Sequence, residues 1–452
     1  MRNHHLAAIP LAALLLTACA SAVPAQPADA TTSPDAAASS PAQPDAAASS
    51  PSQPATETSA PPLTPKFPVG HLLTLPQNQN SGPVWNTGDA LYELRDASNM
   101  TPEALVLKTD YAALTQSVYC DIPGCTHDSD ACPAYLASDF CVGVMAVDGT
   151  VYTYPGELTN VAPTQIYRID PAAGKTPVAA VPDALPHHMQ LQWCDEYALY
   201  GCPLAASHQP GTLYRWDWRN DTVQTIPMLA DEKIIACEGS RFLTIRIEAN
   251  EPFPNFGSTE QEKAILAHAV YVYAWLDPAT GAREKICTRP YADGYFHNYY
   301  DGRIYYTGNF RNADTPGQQA ALLYFDTADG TEKTLLDGIP LDTYGIDVCV
   351  PFSPAFAGVP QRYLRVLNVG DAYADCLLDM ETGDILPAPT VTAEGVRRPA
   401  LLLACTASGQ WLTSANPRDS YDPQYSLYAL WDPADFLADG QPAAWVTMYA
   451  TE

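Results

Sequence analysis

The sequence is short of basic residues and of long apolar runs, and each shortage excludes a class of protein. Lysine and arginine together number 23 against 51 aspartates and glutamates, so the formal net charge is −28. A surface this acidic repels the phosphates of nucleic acids, and we therefore expect no nucleic-acid partner. Beyond its first residues the chain has no apolar run near the roughly 18 residues that a membrane-spanning helix needs.

The sequence also lacks the local motifs of the common catalytic classes. It contains no Gly-x-Ser-x-Gly nucleophile turn, no glycine-rich phosphate loop, no His-Glu-x-x-His pair and no EF-hand calcium loop. Aspartates are numerous, but turn positions account for many of them, so the sequence singles out no catalytic pair of carboxylates. These absences favour a binding protein over an enzyme.

The first residues have the features of an export signal that ends at a cysteine. Arg2 gives the start a positive charge, and Leu6–Leu16 is a mostly apolar run that is too short to span a bilayer. Small residues follow, and the run Leu16-Thr17-Ala18-Cys19 resembles the bacterial lipobox. The resemblance implies that residues 1–18 are a lipoprotein signal peptide and that Cys19 receives diacylglyceryl on its sulfur and becomes the first residue.

A lipid on Cys19 determines the compartment of the protein. Each buried CH₂ of an acyl chain contributes about 0.8 kcal/mol, so that two chains anchor a protein stably where one does not. We therefore expect the chain at the cell membrane, held by lipid on the extracytoplasmic side. The alternative is an ordinary secretory signal cut nearby.

Residues 19–65 have the composition of a disordered linker. Alanine, proline, serine, threonine and glutamine dominate, and the segment from Pro34 to Pro41 recurs from Pro44 to Pro51. Such a chain buries too little apolar surface to offset the entropy of ordering it. Its proline favours extended geometry, with a reach on the order of 140 Å at about 3.1 Å per residue. We expect a tether that lifts the folded domain off the membrane.

The pattern of residues 66–452 predicts an all-β domain built from one repeated unit. An alternating apolar strand recurs, followed by a turn that Asp and Gly make with the pattern Asp-x-x-x-Gly or close to it. The clearest such strands begin at Gln165, Leu213, Val272, Leu322, Cys376 and Leu427. The layout resembles TolB-like and WD-repeat propellers, which implies a β-propeller of about seven blades. Eight blades or two stacked β-sandwiches are the alternatives, and Leu72 to Leu75 is a candidate strand for closing the ring onto the last blade.

One group of potential metal ligands interrupts this repeat. Cys120, Cys125, His127 and Cys132 lie in an insert at residues 119–141, which ends at Cys141. Three thiolates and one imidazole suit a tetrahedral Zn²⁺ site, and four protein ligands make that site structural because no position stays open for water. Disulfides are expected outside the cytoplasm and are a second interpretation. Free thiols in an organism that lives without oxygen are a third.

The insert also resembles a Cys-Pro-Cys-His-Cys pattern of uncharacterised propeller lipoproteins from anaerobic gut bacteria, a resemblance that covers few residues and implies no activity. Without Cys19, 11 of the 12 cysteines remain, and an odd number cannot all pair. Cys194 and Cys202 flank a strand and are candidates for a disulfide across a hairpin. The apolar contexts of five others predict small buried hydrophobes: Cys237, Cys287, Cys349, Cys376 and Cys405.

The function that these features favour is non-catalytic binding outside the membrane. The expected partners are the membrane, through the lipid, and an envelope protein or a glycan. The alternative is a glycan-active hydrolase or lyase with its site at the propeller channel. An aromatic group is a candidate glycan platform, with packing between blades as the other interpretation: Tyr291, Tyr295, Phe296, Tyr299 and Tyr300. We interpret the scattered histidines as structural: His187, His188, His208, His268 and His297.

Overall fold

The computed structural model describes residues 64–75, 84–96, 103–137, 142–158, 164–203, 208–253, 259–291, 295–308, 319–340, 344–345, 362–368, 375–387, 390–393, 396–415, 427–438 and 440–449. The chain divides into two units, residues 1–62 and residues 63–452, and all of the described residues belong to the second. The predicted signal peptide, Cys19 and nearly all of the predicted linker therefore lie outside the described residues.

The first three sheets are antiparallel and follow one another along the chain. The first contains β2 (Val84–Asn86), β3 (Ala90–Asp96), β4 (Ala104–Asp110) and β5 (Thr115–Val118), with β6 (Tyr135–Leu136) also on β4. The second contains β7 (Val142–Val147), β8 (Thr150–Pro155), β10 (Gln165–Asp170) and β11 (Gly174–Ala180). The third contains β12 (Met189–Cys194), β13 (Leu199–Pro203), β14 (Pro210–Asp217) and β15 (Thr222–Ala230), with β1 (Leu73–Thr74) and β9 (Glu157–Leu158) on β12.

Four further sheets repeat this order. The fourth contains β16 (Lys233–Glu238), β17 (Arg241–Glu248), β18 (Val270–Leu276) and β19 (Arg283–Pro290); the fifth contains β20 (Tyr295–Tyr300), β21 (Arg303–Gly308), β22 (Gln319–Asp326) and β23 (Thr331–Pro340). The sixth contains β24 (Tyr344–Gly345), β25 (Tyr363–Asn368), β26 (Asp375–Asp379) and β27 (Ile385–Pro387); the seventh contains β30 (Leu401–Cys405), β31 (Trp411–Ala415), β32 (Leu427–Trp431) and β33 (Ala444–Trp445). A separate hairpin, β28 (Thr390–Ala393) and β29 (Val396–Pro399), lies between them in the chain.

Helix is scarce in the described part of the chain. Only α1 (Thr259–Leu266), between β17 and β18, and α2 (Pro433–Leu437), after β32, occur there. Among the described residues we find no helix that combines the length and the hydropathy needed to cross a membrane.

The recurring turns have the chemistry that the sequence predicts. After β18, the Asp277 carboxylate accepts a hydrogen bond from the backbone N–H of Ala279 at 2.8 Å, and Gly281 takes a φ of 76°. After β26, Asp379 accepts from the N–H of Glu381 at 2.9 Å, and Gly383 takes a φ of 80°. A positive φ is costly for most residues other than glycine, so each turn depends on its Gly as well as its Asp. The predicted strand before such a turn is confirmed at each of the six positions.

Neighbouring sheets share their apolar faces. Trp193 of the third sheet meets Phe242 of the fourth edge-on, with ring centroids 5.6 Å apart. Trp275 meets Tyr299 of the fifth sheet at 5.4 Å. The hydroxyl of Tyr305 in the fifth sheet donates to the carbonyl of Met380, in the turn between β26 and β27 of the sixth sheet, at 2.8 Å.

Apolar packing of the same kind joins the sixth sheet to the seventh and the seventh to the first. Tyr363 of the sixth sheet meets Trp411 of the seventh at 5.4 Å. Leu403 and Leu430 of the seventh sheet lie in one buried cluster with Val84 of the first. Sheets that pack in cyclic order define a β-propeller. The predicted all-β propeller is therefore confirmed.

A buried polar network joins the last sheet to the first. Glu93 of β3 is 2% exposed, and its carboxylate accepts from the Tyr428 hydroxyl at 2.6 Å, from Arg95 at 3.0 Å and from Gln116 at 2.8 Å. Arg95 also donates to the backbone carbonyl of Tyr449 at 3.3 Å. The network ties the C-terminal segment and the seventh sheet to the first sheet.

The predicted ring-closing role of Leu72 to Leu75 is wrong. In β1, Leu73 pairs with Cys194 and Thr74 with Trp193, so this strand extends the third sheet instead of the last. Residues 66–75, which we call the strap, run between the third and fourth sheets before they reach that edge. The Leu72 N–H donates to the Gly239 carbonyl of the fourth sheet's first turn at 2.7 Å. Backbone bonds to both neighbours hold the strap at that boundary.

Removing the carboxylate of Glu93 should destabilise the ring strongly. Glu93→Ala leaves the buried Arg95 guanidinium without its counter-charge, and breaking a buried pair in this way costs about 3–5 kcal/mol. Glu284→Ala is the matched control, because its 3.2 Å pair with Arg241 is exposed and is worth about 1 kcal/mol or less. Urea unfolding of both variants measures the two free energies. Similar losses in the two variants would contradict the role assigned to the network.

Candidate metal centre and the adjacent groove

The outer edge of the first sheet is interrupted by the predicted insert. β5 ends where Val118 pairs with Leu107, and β6 resumes on the same strand where Tyr135 pairs with Leu105. Residues 119–134 therefore loop out from the rim of the sheet between two short strands that both pair with β4. Both ends of the insert are fixed by sheet hydrogen bonds, which limits how far its side chains can separate.

The insert brings the four predicted ligands together. One ligand atom each from Cys120, Cys125, His127 and Cys132 lies within 4.8 Å of all the others. Cys132 is only 1% exposed, and its sulfur lies 3.3 Å from Nδ1 of His127. A tetrahedral Zn²⁺ with Zn–S bonds of about 2.3 Å separates its ligand atoms by roughly 3.5–3.8 Å. The spacing and the donor types therefore fit a tetrahedral zinc ion. Among the described residues no other group of this kind occurs.

Backbone N–H groups point at all three sulfurs. The sulfurs of Cys120, Cys125 and Cys132 accept hydrogen bonds from the N–H groups two residues further on, at Ile122, His127 and Ala134 respectively. The chain turns tightly to make these contacts, with positive φ angles of 72° at Gly124 and 60° at His127. Hydrogen bonds donated to sulfur stabilise the thiolate, which is the form that binds a metal.

The charged forms of the three thiols are not equally favoured. Burial raises the pKa of Cys120, and it raises the pKa of Cys132 to about 12. The N–H of His127 lowers the pKa of Cys125. A divalent cation would offset the cost of burying the negative charge of Cys132.

The insert is fastened to the second sheet as well as to the first. The Asp121 N–H donates to the carbonyl of Pro171, in the turn between β10 and β11, at 2.8 Å. The Lys175 ammonium of β11 donates to the Asp130 carboxylate at 2.9 Å and also to the Tyr135 carbonyl. The cluster therefore lies at the boundary between two neighbouring sheets.

The other cysteines do not form the predicted disulfide. Cys194 pairs with Leu199 and Cys202 with Gln190, so the two thiols lie at opposite ends of the β12–β13 hairpin. Neither forms a disulfide, and the same holds for the remaining described cysteines: Cys120, Cys125, Cys132, Cys237, Cys287, Cys376 and Cys405. The last four of these are partly exposed instead of fully buried as predicted. Cys141 and Cys349 lie outside the described residues.

A groove of about 840 Å³ opens beside the first sheet. It is lined by the first turns of the first, second and seventh sheets, at Asp89, Gly149 and Gln410, and by side chains of β3 and β4, including Tyr92 and Lys108. The sequence does not predict this site, because its walls are turns separated by as many as 321 positions, from Asp89 to Gln410, and no local motif marks them. The closing of the ring alone brings them together.

Two rings of the predicted aromatic platform are buried, and Phe296 and Tyr300 are partly buried. Tyr291 is 8% exposed in a cluster with α1, and Tyr299 is 5% exposed with its hydroxyl donating to Glu238 at 2.8 Å. These rings pack between elements, which agrees with the other interpretation of the pattern, while the side chain of Tyr295 lies outside the described residues. His208 stacks on Phe253 with ring centroids 3.9 Å apart.

Comparisons with known proteins identify no family for this chain. No protein-family model and no curated protein matches the chain. The β-propeller domain of the trilobed protease from Pyrococcus furiosus is 10% identical with a TM-score of 0.42, over 80% of this chain and 96% of that one. A Synechocystis apocarotenoid oxygenase mutant is 12% identical with a TM-score of 0.37, over 86% and 92%.

A third solved structure is longer than this chain. The acylaminoacyl peptidase of Pyrococcus horikoshii is 12% identical with a TM-score of 0.40, over 80% of this chain and 51% of the peptidase, so the match spans about half of its length. The class of the protein, an all-β propeller, is defined by its own cyclic series of sheets.

Proposed function

We propose that this chain is an extracytoplasmic lipoprotein whose propeller binds a ligand outside the membrane. Residues 1–18 direct export, lipid on Cys19 anchors the chain, residues 19–65 are the tether, and residues 66–452 form about seven blades. Seven sheets of four or more strands support the blade number. The lipobox-like run before Cys19 supports the anchor. The groove between the first, second and seventh sheets is the observation that carries the binding function.

The chemistry of the groove favours a hydroxyl-rich ligand such as a glycan. Lys108 and Asp110 pair at 2.9 Å and largely neutralise each other, which leaves the exposed Asp89 as an acceptor for hydroxyl groups. Gln410 adds an amide, and the Tyr92 ring gives an apolar wall of the kind on which sugar faces stack. An anionic ligand would meet two carboxylates and only one ammonium. A pocket of convergent polar groups with an aromatic wall is typical of small-ligand sites.

The cluster in the insert supports a structural role for a metal. We propose that Cys120, Cys125, His127 and Cys132 hold one Zn²⁺. Four protein ligands leave no open position for a water molecule, so the ion would stabilise the insert and take no part in a reaction. The convergence of the four ligand atoms within 4.8 Å of one another is the observation on which this proposal rests.

A glycan array probed with the mature chain tests the binding function. Tyr92→Ala should weaken binding of any glycan that scores by about tenfold, the effect of about 1.4 kcal/mol, because it removes the aromatic wall. Tyr197→Ala is a matched control, since that ring is 42% exposed and lies in the third sheet's first turn, away from the groove. Absence of any bound glycan, or equal effects of both variants, would reject the groove as a glycan site.

The anchor is tested by Cys19→Ala in cells. We expect the wild-type chain in the membrane fraction and the variant outside it, because the acceptor thiol for the lipid is gone. Metabolic labelling with a palmitate analogue should mark only the wild-type chain. Membrane retention or labelling of the variant would contradict lipid attachment at Cys19.

The metal proposal predicts one zinc ion per chain. Cobalt(II) should replace it and give the visible spectrum of a tetrahedral thiolate site, while Cys132→Ser should lose the stoichiometric metal and that spectrum. Cys287→Ser is the control, because its thiol is free and lies in the fourth sheet. Elemental analysis of protein purified under reducing conditions gives the stoichiometry. Metal-free wild-type protein, or equal loss from both variants, would exclude the site.

A further inference from the structure

The metal cluster and the groove lie at the same boundary between sheets. The insert that carries the cluster bonds to the second sheet through Asp121 and Lys175. The groove is lined by Tyr92 and Lys108 of the first sheet and by Gly149 of the second. A change in the packing of the first sheet against the second would therefore alter both the metal cluster and the groove.

A side-chain contact connects them directly. Tyr119 precedes the ligand Cys120 in the chain, and its ring meets the groove residue Tyr92 edge-on, with centroids 5.2 Å apart and planes at 80°. The two hydroxyls also share a hydrogen bond. The position of Tyr92 thus depends on Tyr119, whose backbone continues into the metal ligand.

A backbone connection reinforces this contact. β5 is only four residues long; Thr115 at one end pairs with the groove residue Asp110, and Val118 at the other end lies two residues before Cys120. The Tyr119 N–H donates to the Val106 carbonyl of β4 at 2.8 Å. A short strand held at one end by the metal site transmits a shift of the insert to the turn that lines the groove.

We infer that the metal at Cys120, Cys125, His127 and Cys132 controls the groove, with Tyr119 as the positioning residue that sets Tyr92. This inference rests on the proposed metal site and on the proposed role of the groove. With metal bound, the insert is fixed against both sheets and Tyr119 holds the Tyr92 ring as a groove wall. Without metal, the insert loosens, and the order of the groove residues is lost with it.

Hydrogen exchange of the full mature chain, with zinc and after its removal by a chelator under reducing conditions, tests the coupling without any glycan. Removal of zinc should speed hydrogen exchange in the insert. It should also speed exchange in the groove turns at residues 86–90 and 110–115 by at least about fivefold, since couplings between sites commonly reach that size. The fifth sheet should not change.

Variants at Tyr119 separate the coupling from simple loss of structure. Tyr119→Ala should still bind one zinc per chain and still show a response of the insert, while the turn at residues 86–90, next to Tyr92, responds less than in the wild type. Tyr119→Phe keeps the ring and should retain most of the response, which preserves the test should the alanine variant fail to fold. The inference would be overturned if removal of zinc left hydrogen exchange in the wild-type groove unchanged. It would also be overturned if exchange in the Tyr119→Ala groove responded as strongly as in the wild type.

The two proposals fail in distinguishable ways. If the groove responds to zinc but binds no glycan, the proposed ligand is rejected and the coupling stands. A groove that binds glycan equally with and without zinc removes the coupling and leaves the binding function. A chain that takes up no zinc removes the metal site and the coupling together.

Discussion

The structure depends on each sheet burying its two faces against its neighbours. A sheet of four short strands is too small to be stable alone, so its apolar side chains must be covered on both sides. Pairs such as Trp193 with Phe242 and Trp275 with Tyr299 supply that cover between consecutive sheets. The series must then close, because an open series would expose one face at each end. Glu93, with donors from both ends of the series, lies where that closure is made.

Closure also explains why both candidate sites lie at the first sheet. The strands of the first and seventh sheets meet only because the ring closes, and the groove is formed from the turns at that junction and at the next one. The insert lies on the outer edge of the same sheet. The strap joins the ring at a different boundary, between the third and fourth sheets. The strap therefore lies away from both the groove and the cluster.

The parts of this structure that the sequence predicts are local. β10 (Gln165–Asp170) has the predicted bounds, because alternating side chains and an Asp-containing turn specify a hairpin within a few residues. The four ligands in the insert lie within thirteen positions, so their proximity required no knowledge of the fold. The strap and the groove were not predictable, because Leu73 pairs with a residue more than a hundred positions away and no pattern specifies such a partner. The buried aromatic group shows the same limit, since exposure of a ring depends on the neighbouring sheet.

The thiols within the cluster differ from those outside it in how easily they oxidise. Oxidation proceeds through the thiolate, so a buried thiol with a raised pKa is protected. Burial raises the pKa of Cys202 and of Cys287 to about 12 and that of Cys237 to about 11, which suppresses their thiolates at neutral pH. Cys125 differs, because a backbone N–H lowers its pKa. A thiolate so favoured beside two further sulfurs and an imidazole is exposed to oxidation unless a cation occupies the site. The arrangement that makes Cys125 vulnerable is the one that suits it to bind zinc.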